Sequence, residues 1–166
     1  MNIPAQILIL ALAAGPAMAL SAESECAFED TTHRLISGNN PNDFRCIRSR
    51  AGAGDEHWEF YLGLILIGQV PGPTNVSEGL AVLKKVALRN NKYSADAMRS
   101  IGYVYKRTDG ESQNYELAYQ WLYLASQRPP FKGTAVPLPD ETLSGAISSQ
   151  RMKELERGAS QLLRDR

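Results

Sequence analysis

The sequence predicts an all-α protein in which pairs of helices stack into a short α/α solenoid. The stretch from Trp58 to Ala87 is echoed about forty residues later by the stretch from Ala97 to Ala125. Within each stretch the apolar residues recur at spacings of three and four, as they do along one face of an α-helix. Strand-like alternation occurs nowhere outside one short segment that contains prolines. An echo of this length, with helical spacing inside each copy, is typical of helical repeat proteins.

Composition narrows the class of partner. The 166 residues are enough for one domain, and 22 % charged with 43 % hydrophobic residues are ordinary proportions for a folded globular chain. Lysine and arginine together number 18, and so do aspartate and glutamate, so no excess of basic residues points to nucleic acid. We therefore expect no nucleic acid, and the repeat pattern favours a protein partner, because solenoids usually present a surface to one.

Residues 1–22 contain no charged side chain and are predicted to be a secretory signal. An apolar run over residues 7–14 is followed by a Gly-Pro pair, and the small residues Ala17 and Ala19 fit cleavage after Ala19, with Ala22 as a second choice. The alternative is an uncleaved membrane anchor, but the apolar run is shorter than the about 20 residues that a spanning helix needs. We expect a periplasmic or secreted protein with no stable membrane anchor.

Export would place the two cysteines, Cys26 and Cys46, in an oxidising compartment. In an oxidising compartment an even number of cysteines favours a disulfide. A bridge between them would close a loop of about 20 residues and stabilise the fold by about 3 kcal/mol on the chain-entropy model. Two free buried thiols are the alternative, and a zinc site is disfavoured because the further ligands are missing.

The predicted disulfide would join a pair of helices in residues 23–54. The first helix runs to Gly38, with acidic side chains early and basic ones late, as the helix dipole favours. An Asn-Asn-Pro-Asn turn separates it from a second helix that begins at Asp43. This second helix carries Phe44 and Ile47 on one face.

Residues 55–128 are predicted to hold two helical repeats. Asp55 is expected to cap the first helix, which ends at Gly68. A loop with two prolines cannot be helical and leads to the second helix, which begins at Val76 or Ser77.

The second predicted repeat begins at Ser94, expected as an N-cap, and its second helix covers residues 115–127. Residues 129–166 complete the chain. Within them we expect an extended segment over residues 131–145 and a C-terminal capping helix over residues 150–164.

The repeat positions resemble the Sel1-like repeat family, a relative of the tetratricopeptide repeat. That pattern places a Leu-Gly pair and then a tyrosine in the first helix, and alanines around a tryptophan in the second. The match covers about residues 46–127, but the first copy has Leu66 in place of the tyrosine and Leu80 in place of the first alanine. In this alignment Leu83 corresponds to Trp121. The expected repeat-packing residues are Leu62, Gly63, Ala87, Ile101, Gly102, Tyr105, Ala118, Trp121 and Ala125. The glycines lack side chains, so the paired helices can approach closely.

No catalytic, cofactor or metal site is predicted. The two histidines, His33 and His57, are far apart in sequence, and no spacing resembles paired metal ligands, a phosphate loop or a nucleophile elbow. The run Asp55-Glu56-His57 lies at a helix start, where acidic residues suit the dipole. We expect that the protein is not an enzyme.

Three outward positions of the first repeat helix are apolar where the second copy is polar. They are Phe60, Leu64 and Ile67, which correspond to Arg99, Tyr103 and Lys106. One interpretation is that they pack against the helix that carries Phe44. The other is an exposed apolar groove that binds a partner, because first helices line the inner face of a solenoid. The expected partner-binding residues are Phe60, Leu64, Met98, Arg99, Tyr103 and Lys106. Such a groove suits an acidic or amphipathic protein segment.

Three functions fit these observations. The resemblance implies a protein-interaction module of the envelope, either an assembly adaptor or an immunity protein that blocks a dedicated partner. A second hypothesis is a structural accessory of a secretion or motor complex. A third is a regulator of an enzyme that acts on cell wall or exopolysaccharide.

We predict that the exported protein begins at Leu20 or Glu23 and contains a Cys26–Cys46 disulfide. Peptide mass mapping without reduction is the measurement. Retention of Met1 in a membrane fraction would contradict the predicted cleavage, and two freely alkylated cysteines would contradict the disulfide.

Overall fold

The computed structural model describes residues 41–107, 113–128 and 141–164, which form seven α-helices and no strand. The helices are α1 (Pro41–Gly52), α2 (Glu56–Leu66), α3 (Val76–Leu88), α4 (Ser94–Arg107), α5 (Tyr115–Ser126), α6 (Glu141–Ala146) and α7 (Ser149–Arg164). The prediction of an all-α fold is confirmed for these residues. The predicted signal segment and the first predicted helix, up to Gly38, lie outside them.

Side-chain caps set the starts of several helices. The carboxylate of Asp55 accepts hydrogen bonds from two backbone N–H groups in the first turn of α2. Asn75 caps α3 and Asn114 caps α5, each accepting from the N–H three residues on, at 3.2 and 2.9 Å. Ser148 caps α7 in the same way at 3.3 Å. Ser94, predicted to cap α4, instead donates its hydroxyl back to a backbone carbonyl just after α3.

A short helix, α6, lies where the sequence predicts extended chain. Its Leu143 is fully buried, and Ile147, just after the helix, is 5 % exposed. Both belong to an apolar cluster with Met152 and Leu155 of α7. Residues 143 and 147 are four apart, so one turn of helix brings both side chains to the same face, which explains why residues 141–146 are helical.

The helices pack in the order of the chain. Contacts join α1 to α2, α2 to α3, α3 to α4 and α4 to α5, and α7 closes on α5. One apolar cluster lies between α1 and α2 around Trp58, and a central cluster of α3, α4 and α5 lies around Leu83. A third cluster forms where α6 and α7 cover α5 around Leu122.

The helix pair α2–α3 and the helix pair α4–α5 repeat each other at a separation of 39 residues, the distance between the capping asparagines Asn75 and Asn114. The backbone N–H of Asn75 donates to the carbonyl of Leu66 at 2.9 Å, and that of Asn114 donates to the carbonyl of Tyr105 at 3.0 Å. The same bond therefore closes the loop in both copies, and Leu66 corresponds to Tyr105.

Each copy has a close contact between a glycine of its first helix and a leucine of its second. A Cβ atom added to Gly63 would lie 2.6 Å from Cγ of Leu83, and one added to Gly102 would lie 2.6 Å from Cγ of Leu122. Both distances are far below ordinary van der Waals contact, so the predicted close approach at these two glycines is confirmed. The equivalence also corrects the alignment, since Leu83 corresponds to Leu122 and not to Trp121.

Two of the predicted repeat-packing residues are less buried than expected. Trp121 and Tyr105 are half-buried and pack on the edge of the central cluster. Trp121 is one residue before Leu122, the position that faces the glycine, and this turns it about 100° away around the helix. The other seven predicted packing residues are buried.

A buried carboxylate joins α2 to α3. Glu59 is 3 % exposed, and it accepts a hydrogen bond from Nζ of Lys85 at 2.5 Å and another from the guanidinium of Arg89. A buried charge is tolerated only when it is paired, so the carboxylate of Glu59 depends on these two cations. The corresponding residue of the second copy is Met98, which is apolar and needs no such partners.

We predict opposite effects of alanine at two helical glycines. Gly102→Ala should lower the free energy of unfolding by about 1–3 kcal/mol, because the new methyl group overlaps Leu122. Gly158→Ala in α7 meets only ordinary contact at 3.7 Å and should raise the free energy by up to about 1 kcal/mol through helix propensity. Urea unfolding of both variants is the measurement. Equal effects of the two substitutions would contradict the close packing.

Candidate functional site

A groove of about 560 Å³ separates the first helices of the two copies, α2 and α4. Four of the six predicted partner-binding residues line it, two from each helix. They are Phe60, Leu64, Arg99 and Tyr103. The groove is of the size of many ligand sites, which span about 300–1,000 Å³.

The α2 wall of the groove is largely apolar. Phe60 and Leu64 are half-buried and line the groove, while their inner sides pack on the central cluster of α3 and α4. Ile67 packs on the same cluster. Phe44 belongs to the other cluster, between α1 and α2. The interpretation in which the three residues cover Phe44 is therefore wrong, because they lie on the side of α2 that faces α4.

The α4 wall is polar and internally paired. Asp96 and Arg99 form an ion pair one turn apart, with side chains only 10 % and 20 % exposed. Ser100 donates its hydroxyl to the side-chain oxygen of Gln69 at 3.0 Å, which ties α4 to the loop after α2. Tyr103 lies one turn beyond Arg99 and is half-buried. The paired charges leave the middle of the groove with no excess of either sign.

Tyr93 forms the floor at one end of the groove and is 3 % exposed. Its ring stacks on His57 at 5.4 Å and on Phe60 at 5.2 Å between ring centroids. Nζ of Lys92 lies 5.0 Å from the centre of the same ring. The stack fixes the wall residue Phe60 in place, while the tyrosine ring itself is covered.

Tyr61 of α2 also lines the groove. Burial raises the pKa of its phenol, so the hydroxyl stays protonated at physiological pH and can donate a hydrogen bond to a ligand.

The sequence pattern did not identify Tyr61, His57 or Tyr93 as site residues. Tyr93 comes from the turn before α4, and nothing in the spacing of residues places it beside α2.

A second, smaller hollow of about 170 Å³ adjoins the groove. Gln69 and Tyr103 line both, so the groove continues past them toward the carboxyl end of α4. Here the lining changes to aliphatic side chains with one arginine. The residues are Ile67, Gly68, Val76, Val104 and Arg107.

Two predicted partner-binding residues do not line the groove. Met98 is fully buried in the central cluster, which α3, α4 and α5 form together. The prediction that Met98 is outward is therefore wrong. Lys106 is half-buried and lines neither hollow. The groove face of α4 runs at a spacing of four through Arg99, Tyr103 and Arg107, and Lys106 lies to one side of it.

The structure assigns Asp55 to helix capping, since its carboxylate accepts backbone N–H groups. Within residues 41–107, 113–128 and 141–164 no group of three or more histidine, cysteine, aspartate or glutamate side chains is placed to hold a metal ion. In the same ranges no helix combines the length and the apolarity needed to cross a membrane.

No protein-family model, curated protein or solved structure matches this chain. The resemblance to Sel1-like repeats is therefore carried forward as a proposal.

We predict that Met98 supports the fold and does not contact a partner. Met98→Ala should lower the free energy of unfolding by about 2–5 kcal/mol, because the side chain is fully buried in the central cluster. Lys106→Ala is the comparison and should change it by less than about 0.5 kcal/mol. A Met98→Ala variant as stable as the unmodified protein would restore the outward assignment.

Proposed function

We propose that this protein is an exported, Sel1-like helical repeat module that binds a dedicated protein partner in the groove between α2 and α4. The observation that carries the proposal is the half-exposed apolar wall of Phe60 and Leu64, which faces a polar wall on the neighbouring helix. A surface of this make-up on a repeat scaffold is the usual place for a protein segment to dock.

The repeat architecture supports a solenoid. Consecutive helices pack in chain order, and the two helix pairs agree at a spacing of 39 residues in their caps, their loop-closing bonds and their glycine–leucine contacts. In such an array the first helix of each pair lines the inner face. The groove lies between α2 and α4, which are the first helices of the two pairs.

A protein segment fits the groove better than a nucleic acid or a sugar. A nucleic acid needs a surplus of cations and exposed ring faces, whereas Arg99 is paired with Asp96 and Tyr93 is covered by its neighbours. A sugar also needs an open ring face on which to stack. Aliphatic and aromatic anchors from a protein chain need only the apolar wall that Leu64 and Phe60 supply.

The N-terminal part of the proposal rests on Cys46. This residue lies on α1 and is not a free thiol in the structure. Its proposed partner, Cys26, lies outside the described residues. A bridge between them would hold the preceding chain against the first helix pair and suits an oxidising compartment.

The test is site-directed photo-crosslinking in the cells that make the protein. A photoreactive amino acid at position 103 should form an adduct with one protein, whereas the same group at position 153, on the exposed side of α7, should form none. Absence of an adduct at position 103, or the same set of adducts at both positions, would contradict the proposed groove.

We predict that Tyr103 and Tyr105 separate binding from stability. Tyr103→Ala should weaken the partner complex by about 2 kcal/mol, a factor of about 30, with little change in melting temperature. Tyr105 packs on two clusters and its hydroxyl lies 3.2 Å from Nζ of Lys84, so Tyr105→Ala should lower the melting temperature. The measurements are thermal melts and titration with the partner that the crosslinking experiment identifies. Normal binding by Tyr103→Ala, or its unfolding, would overturn the assignment of this face.

A further inference from the structure

The two walls of the groove are the same helix face in two copies that differ in sequence. Positions 60, 64 and 68 of the first copy correspond to positions 99, 103 and 107 of the second, at the repeat distance of 39 residues. The first set is Phe60, Leu64 and Gly68, and the second is Arg99, Tyr103 and Arg107. One wall is therefore apolar and the other carries two arginines that are two helical turns apart.

The two arginines differ in how available their charge is to a ligand. Arg99 is partly buried and paired with Asp96. Arg107 is exposed and lines the smaller hollow, and in the part of the chain that the structure describes it has no ion pair. The available positive charge therefore lies at one end of the groove, beyond Tyr103.

The end of the groove beside Arg107 also exposes aliphatic surface. Val76 is 40 % exposed, the one large hydrophobic residue that exposed in the described parts of the chain, and it lines the same hollow as Arg107. Ile67 and Val104 complete the apolar lining. A carboxylate that enters this hollow would meet the exposed guanidinium of Arg107 and could accept a charge-assisted hydrogen bond from it.

We propose that the occupant of the groove is a segment of the partner protein that seats an apolar side chain between Phe60 and Tyr103 and places an acidic side chain against Arg107. This inference rests on the proposed function. It states where along α4 the apolar and the acidic side chains of the bound segment lie. From Tyr103 to Arg107 the helix rises about 6 Å, which about two residues of extended chain would span. The acidic residue therefore lies to one side of the apolar anchor, about two residues away.

The test is selection from a library of random twelve-residue peptides displayed on phage, against the purified exported protein. Three targets are compared: the unmodified protein, Arg107→Glu, and Lys153→Glu as a control with the same charge change on α7, whose Lys153 is exposed and lines neither hollow. The unmodified protein and the control should enrich peptides with an aromatic or aliphatic residue followed or preceded by Asp or Glu. Arg107→Glu should lose this preference and favour Lys or Arg at the same place.

The best enriched peptide is then synthesised and titrated. Arg107→Glu should weaken its binding about tenfold, and exchange of the peptide's acidic residue for lysine should restore binding to that variant. Leu64→Ala should weaken both peptides alike. Peptides that depend on Leu64 but show no charge preference would overturn the acidic-segment proposal and leave the proposed function standing.

Two other results would also be decisive. Failure of every target to enrich any peptide would overturn both the acidic segment and the groove as a peptide site. Binding of the unmodified protein to phosphatidylglycerol vesicles, lost in Arg107→Glu and accompanied by no acidic preference in the library, would assign Arg107 to an anionic lipid surface and overturn the proposal.

Discussion

Two close glycine–leucine contacts determine how the paired helices of this protein are spaced. Gly63 meets Leu83 and Gly102 meets Leu122, with no room for a methyl group in either place. A glycine inside a helix costs about 1 kcal/mol of helix propensity, so its presence at the same repeat position twice indicates that the short interhelical distance is the compensating gain. Because dispersion contacts fall off steeply with distance, this approach is what makes each helix pair a unit.

The same contacts determine which residues are left for a ligand. At about 100° per residue, the groove residues of α2 lie roughly 60–160° around the axis from Gly63, and those of α4 lie at the same angles from Gly102. Phe60 and Leu64 therefore occupy the face that Arg99 and Tyr103 occupy one repeat later. The groove arises because two copies of one face are set side by side, and its asymmetry arises because their side chains have diverged.

The core faces have diverged too, in a way that sequence patterns do not show. Glu59 is buried with Lys85 and Arg89, whereas its counterpart Met98 is buried among apolar residues. A glutamate in a helical pattern is ordinarily taken to be exposed, and a methionine beside an arginine is easily taken to be part of a binding surface. Periodicity identifies the faces of a helix, but which face is covered depends on where the neighbouring helices lie, and this explains the wrong assignment of Met98. The close approach at the glycines was predictable because a glycine in mid-helix has few other uses. Tyr93 was not, because its role depends on a turn that brings it beside α2.

The most direct test of the account is a double-mutant cycle on Gly102 and Leu122, measured as the free energy of unfolding. If the glycine exists to admit the leucine, then Gly102→Ala combined with Leu122→Ala should cost at least about 1 kcal/mol less than the sum of the two single substitutions, because the added methyl group enters the space that the leucine leaves. The Gly63–Leu83 pair should show coupling of the same sign. Additive effects at both pairs would mean that the glycines do not set the helix spacing, and would contradict the origin proposed for the groove.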